Sequence, residues 1–177
     1  MSYTYTLFIQ LYKMLTVLII FACVFGVTQS YRLNPTIEVN KWKERIPYWI
    51  ENFPDDLDNR EVLYQLNQAM EFWENLLPHH HFHRIMHRSE ADNITEKISI
   101  LCGMKDHAGH NFSAPHIIAH AHHRILHFNK EDYNWTLGFP QEYEAPKNVF
   151  TIAAHELGHC LCLSHSQNRR ALMYYTF

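Results

Sequence analysis

An α+β fold is predicted by three observations. Two stretches, 59–77 and 148 onward, repeat apolar residues at three- and four-residue intervals, and five shorter ones carry strand patterning. After an apolar leader, roughly 150 residues remain, enough for one core but not for a second domain of ordinary size.

At the start of the chain, Leu15 to Val27 is uncharged, comes after Lys13, and runs into Thr28, Gln29 and Ser30. That is the size of a signal-peptide core and too short for a helix that crosses a bilayer. Residues 1–30 are therefore expected to be a signal peptide and 31–177 the mature domain. A membrane anchor is the competing reading, because Leu7, Phe8, Ile9, Leu11 and Tyr12 extend the apolar character upstream.

Arg45 to Glu51 alternates apolar and polar residues as a half-buried strand does, and Pro54, Asp55 and Asp56 break it. From Asn59 to Leu77, the spacing of Val62, Leu63, Leu66, Met70, Trp73 and Leu76 predicts an amphipathic helix of about five turns. Pro78 stops it. His81–His87, Ile94–Leu101, Ile117–Ala121 and Arg124–Phe128 read as further strands. A second helix starts at Asn148, a good N-cap after Pro146, and carries Val149, Ile152, Ala153, Leu157 and Leu161.

Composition narrows the function. The chain is 47% hydrophobic, 14% aromatic and 19% charged, which is the composition of a folded protein. A net charge of −3 provides no basic field for a polyanion, so nucleic acid is not an expected partner. Histidine is the outlier: all 15 lie between His79 and His165, which points to metal ligation. The cluster His79, His80, His81 and His83 needs no ligand if it is a solvated strand or turn. Cys23 lies in the leader, leaving Cys102, Cys160 and Cys162, which imply no disulfide framework. Three glycosylation sequons begin at Asn93, Asn111 and Asn134, and they suit an exported chain.

The chemistry concentrates in one segment, His155-Glu156-Leu157-Gly158-His159-Cys160-Leu161-Cys162-Leu163-Ser164-His165. Side chains four apart share a helix face, so His155 and His159 can place two imidazole nitrogens on one ion at about 2.0–2.1 Å. Glu156 lies about 100° around the axis, near enough to act as a base on water but not as a third chelator. His165 reaches the same ion only if the helix stops and the chain folds back. The result would be three histidines with a fourth position open, the pattern of a catalytic zinc site.

This segment, together with Ser166 and with Ala171-Leu172-Met173-Tyr174 after it, resembles the matrixin (matrix metalloproteinase) branch of the metzincin zinc peptidases. Tyr31-Arg32-Leu33, Lys41-Trp42, Ile46-Pro47-Tyr48, Pro54 to Leu57, Trp73, Ala91-Asp92, Ala119-His120-Ala121, His127-Phe128 and Trp135-Thr136 extend the likeness over 31–177. The resemblance implies a metzincin-like α+β fold, with a twisted five-stranded mixed sheet and two long helices. The family's last helix would be missing after Phe177, either because the sequence is a fragment or because the domain is trimmed.

The resemblance also implies a secreted zinc endopeptidase acting on extracellular matrix or other extracellular proteins, and once the signal peptide is cleaved no stable membrane association is expected. His155, His159 and His165 would hold the catalytic zinc, Glu156 would move the proton, and Met173 would form an apolar floor. Substrate would lie along Ala119, His120 and Ala121, with an apolar side chain received near Tyr174 and Tyr175. A second, structural zinc would take His107, His120 and His127, with Asp106 or His110 as fourth ligand. Ser113, Asn129 and Asp132 stand at calcium positions, where two of three lack a carboxylate, so any calcium would be weakly held.

Three departures accompany the match. Cys162 replaces the glycine at which the family's chain leaves the helix. Either its φ is positive, at a cost of about 1–2 kcal/mol, or the helix continues and the Cys162 thiolate ligates zinc in place of His165. Tyr175 stands where proline is usual. No pro-segment with a zinc-blocking cysteine precedes Tyr31. A degenerate, non-catalytic zinc-binding protein is the alternative function, and an indiscriminate metal store fits the ordered motif poorly.

Overall fold

The computed structural model describes residues 42–103, 106–107, 110–111, 117–122, 124–130, 133–138 and 147–175. The expected leader, the Tyr31–Leu33 landmark, Ser113, His116, His123, Asp132 and the last two residues lie outside them.

Strand β1 (Arg45–Ile50) sets the frame. Its alternation puts Ile46, Tyr48 and Ile50 inside. Helix α1 (Asn59–Leu76) comes next, capped by Asp58, whose carboxylate accepts from the backbone N–H groups of Arg60 (2.8 Å) and Glu61 (3.3 Å). A carboxylate there satisfies orphan donors and meets the positive end of the helix dipole, and those backbone bonds hold Asp58 below the usual carboxylate range. Val62, Leu66, Ala69, Met70 and Trp73 form its buried stripe, and the helix ends before Pro78 as expected.

Strand β2 (His81–Arg84) pairs parallel with β1, and β3 (Ile98–Gly103) pairs with β1 on its other side. After a short hairpin, β4 (Asp106–His107) with β5 (His110–Asn111), come β6 (Ala119–His122) and β7 (Ile125–Asn129). The main sheet runs β2-β1-β3-β7-β6, parallel except for the antiparallel edge strand β6. The predicted five-stranded mixed sheet is present.

Helix α1 and the final helix α3 (Val149–Cys160) pack together, and α3 also lies against β6 and β7. One continuous core joins them through Ile46, Leu66, Ile98, Leu126, Ile152 and Leu157, all at most 2% exposed. Each such side chain contributes about 1.5–3 kcal/mol by burial.

Two boundaries differ from the sequence reading by three residues or more. The strand expected over 81–87 ends at Arg84, and a six-residue helix α2 (Arg88–Asn93) intervenes. Only Ala91 of α2 is buried, so one small anchor leaves no periodic signal. The strand expected from Ile94 starts at Ile98, because the chain first closes the end of α2 through Ile94 N–H on the Ala91 carbonyl (3.2 Å).

Candidate metal centre and active site

Helix α3 delivers the first two histidines. Its N-cap Asn148 is wholly buried: its amide oxygen accepts from Thr151 N–H (3.1 Å), and its amide group donates to the Gly138 carbonyl (3.1 Å). With that end anchored, the four-residue spacing brings His155 and His159 side by side, ring centroids 4.8 Å apart.

His165 joins them because the helix stops on schedule. Leu161 N–H meets the Leu157 carbonyl, Cys162 N–H the His159 carbonyl and Leu163 N–H the Gly158 carbonyl, each at 2.9 Å. This is a Schellman closure, whose left-handed residue is normally glycine. Here it is Cys162, with φ of 74°. The helix therefore does not continue through position 162, and the reading that placed 155, 159 and 162 on one helical face is corrected. The strain expected of a side chain at positive φ is present instead. Cys162→Gly should raise stability by about 1 kcal/mol, seen as a melting midpoint higher by about 3 °C; an unchanged or lower midpoint would show that the turn carries no such strain.

The ligand atoms of His155, His159 and His165 all lie within 4.8 Å of one another, the one such group of three or more among the described residues. His159 Nε2 and His165 Nε2 are 3.1 Å apart, close to the roughly 3.3 Å between neighbouring ligands on a tetrahedral zinc. His155 Nδ1 lies 2.7 Å from the Leu172 carbonyl and His159 Nδ1 2.8 Å from the Leu163 carbonyl. A carbonyl can only accept, so both Nδ1 atoms carry the proton and both Nε2 lone pairs face the cluster. Burial pushes His155 down to about 4, against the opposing pull of the Leu172 carbonyl, and burial lowers His159 and His165 as well. Near pH 7 these are neutral imidazoles. Three neutral nitrogen donors, two of them with the second nitrogen fixed, suit zinc, and three donors leave one position of a tetrahedral ion to another ligand.

Beneath them the chain makes a tight turn. Tyr174 N–H donates to the Ala171 carbonyl (3.0 Å), and Ser166 N–H donates to the Met173 carbonyl (2.6 Å), tying the turn to the residue after His165. Met173 is fully buried against α3 at Gly158. A Cβ at 158 would crowd Met173 Sδ and stand 3.0 Å from Met173 Cε and from Trp73 Cζ2, so the glycine lets both side chains lie close under the helix turn between the two histidines.

Glu156 is 6% exposed and stands outside the three-histidine set. Its carboxylate accepts a hydrogen bond from the Ala121 backbone of β6, while Oε2 is buried without a hydrogen bond. Burial pushes its pKa up to about 8, and the Ala121 bond partly offsets this. A buried carboxyl with one vacant oxygen beside a metal-binding cluster is placed to take and return a proton.

The other predicted residues divide. Ala119, His120 and Ala121 lie on β6, whose only sheet partner among the described residues is β7. Tyr174 and Tyr175 sit together, ring centroids 4.5 Å apart, with Tyr175 well exposed. His120 and His127 face each other across the β6–β7 ladder, rings 5.1 Å apart. His107 lies on β4, but its side chain, like those of Asp106 and His110, is outside the described part of the structure. The structure thus brings together two of the three histidines named for a second zinc. Asn129 is buried and structural: its side chain donates to the Ile117 carbonyl (3.0 Å), and its backbone carbonyl accepts from Trp135 Nε1 (2.9 Å).

Two tryptophans that support the site were named in the sequence as landmarks of the likeness, with no role at the site attached. Trp73 Nε1 donates to the Ala154 carbonyl (2.8 Å) and Trp42 Nε1 to the Cys160 carbonyl (2.9 Å). The partners are 81 and 118 residues away, beyond any local pattern.

Sheet, helix and histidine cluster together have the architecture of a matrixin catalytic domain. The family model for matrixin matches residues 41–177, and the chain belongs to that family. It is 30% identical to macrophage metalloelastase of Rattus norvegicus over 86% of this chain and 32% of that protein. It is 35% identical to interstitial collagenase of Oryctolagus cuniculus over 76% of this chain and 28% of the relative. For stromelysin-1 of Rattus norvegicus the identity is 36%, over 76% and 27%. The chain therefore spans about a third or less of the relatives it matches. The resemblance read from the motifs is borne out.

Proposed function

We propose that the protein is a zinc-dependent endopeptidase acting on extracellular proteins, those of the matrix included. The observation that carries this is the convergence of His155, His159 and His165 with Glu156 buried beside them. The relatives' names, metalloelastase, collagenase and stromelysin, support the substrate class.

The three histidines would hold the zinc, which when bound polarises a scissile carbonyl and makes water more acidic. In its ionised form, which the charge of a bound zinc would favour against burial, Glu156 takes the proton from the attacking water on its vacant oxygen and returns it to the leaving amine, while the Ala121 N–H keeps the carboxylate oriented. Ala119, His120 and Ala121 offer main-chain groups to an extended substrate, and Tyr174 and Tyr175 flank the pocket for an apolar side chain. Met173 holds the floor beneath the ligands. His120 and His127, with His107, are proposed for a structural zinc, and calcium is a weak accessory. Residues 1–30 are proposed as a signal peptide and 31–177 as the secreted domain.

Cleavage of a quenched generic peptide by the purified protein tests the reading. Activity should vanish on chelation and return with zinc. Zinc-loaded protein that cleaves nothing would instead mark a binding protein without catalysis.

A further inference from the structure

The end of α3 must dispose of its last carbonyls, because a helix leaves its final acceptors without intrahelical donors. The Schellman closure satisfies Leu157, Gly158 and His159. The next acceptor is Cys160, and its donor comes from elsewhere in the chain: Trp42 Nε1, at 2.9 Å. Trp42 is itself held through its ring face, with the Arg124 guanidinium carbon 4.5 Å from the ring centroid and Arg124 ion-paired to Glu96 at 3.5 Å. The cation is thus placed near the end of the helix that favours positive charge.

Beyond Cys160 comes the turn on which the metal site depends. Cys162 sits at positive φ, Leu163 supplies the carbonyl that orients His159, and His165 is the third histidine. A turn closed by a strained non-glycine residue has alternatives close in energy. We infer that Trp42 is a positioning residue for the metal site: by completing the cap of α3 it holds the Cys162 turn, and with it His159 and His165, in the metal-binding arrangement. Metal affinity is thereby coupled to the docking of the segment that leads into β1. The inference rests on the proposed zinc site.

The test is zinc affinity, measured by competition with a chromophoric chelator on the full chain. Trp42→Phe keeps a ring under Arg124 and removes the N–H. Trp135→Phe is the control, since its indole N–H meets the Asn129 carbonyl and its chain neighbour Thr136 bridges to Asn148 at the opposite end of α3. Trp42→Phe should weaken zinc binding about tenfold, as loss of a partner behind the ligands does, while Trp135→Phe stays within about twofold of the parent. Adding Cys162→Gly to Trp42→Phe should recover most of the loss, because glycine closes the turn without help.

Should Trp42→Phe fold poorly, the same comparison is made in the Cys162→Gly background, where Trp42→Phe should now have little effect on zinc. Equal affinities for parent and Trp42→Phe, equal losses for both tryptophan variants, or no recovery on adding glycine would each overturn the inference. A parent that takes up no zinc would overturn the metal reading as well, and is told apart because every variant would then be blank.

Discussion

Glu156→Gln should bind zinc as the parent does and lose about 10²–10⁴-fold in turnover of a peptide substrate, the contribution typical of a positioned acid–base group. The amide is nearly isosteric and can still accept from the Ala121 backbone, so the β6–α3 contact survives. What disappears is the ability to take a proton. Since the variant also removes a carboxyl whose pKa burial raises, the limb on which activity rises with pH as Glu156 loses its proton should go with it. Zinc content and turnover measured on the same sample separate the roles. Undiminished turnover would remove Glu156 from the chemistry, whereas lost zinc would make it part of the metal-binding set.

The second large effect concerns stability. Trp73 is 5% exposed between α1 and α3, with its ring edge against Gly158, its N–H on the Ala154 carbonyl at 2.8 Å and Phe72 edge-on at 5.3 Å. Trp73→Ala should cost about 3–5 kcal/mol, from lost burial and the cavity left behind. A domain of this size has about 5–15 kcal/mol in total, so the variant sits near the edge of folding. Trp73→Phe should cost about 1–2 kcal/mol, since much of the ring remains and the carbonyl loses one donor. Urea unfolding checks both. A loss under about 1 kcal/mol for Trp73→Ala would mean that the α1–α3 contact is not a main support of the fold.

The histidine cluster was legible because its geometry is local. His155 and His159 need only a helix, so their spacing named them, whereas His165 needs the chain to fold back and was named through the motif's resemblance, with Cys162 as the rival ligand. Glu156 came from the same helix. The turn was legible only as a choice, because whether a cysteine accepts positive φ depends on what holds it. The answer lies in Trp42 and the Schellman bonds, which no spacing encodes. The two long helices and the β1 alternation were readable for the same local reason. Helix α2 was not, since Ala91 alone anchors it, and the start of β3 moved because the close of α2 consumed the residues before it. His120 and His127 meet through antiparallel register, a long-range fact that the motif resemblance supplied and periodicity did not.

The proposed chemistry stands on one zinc ion held by three imidazole nitrogens with a fourth position left open. X-ray absorption at the zinc edge, on protein loaded with one equivalent, measures that coordination directly. A first shell of nitrogen and oxygen at about 2.0–2.1 Å with no sulfur is expected, together with loss of that signature in His159→Ala. A scatterer at about 2.3 Å, the distance of a thiolate, or a spectrum untouched by the loss of His159, would contradict it.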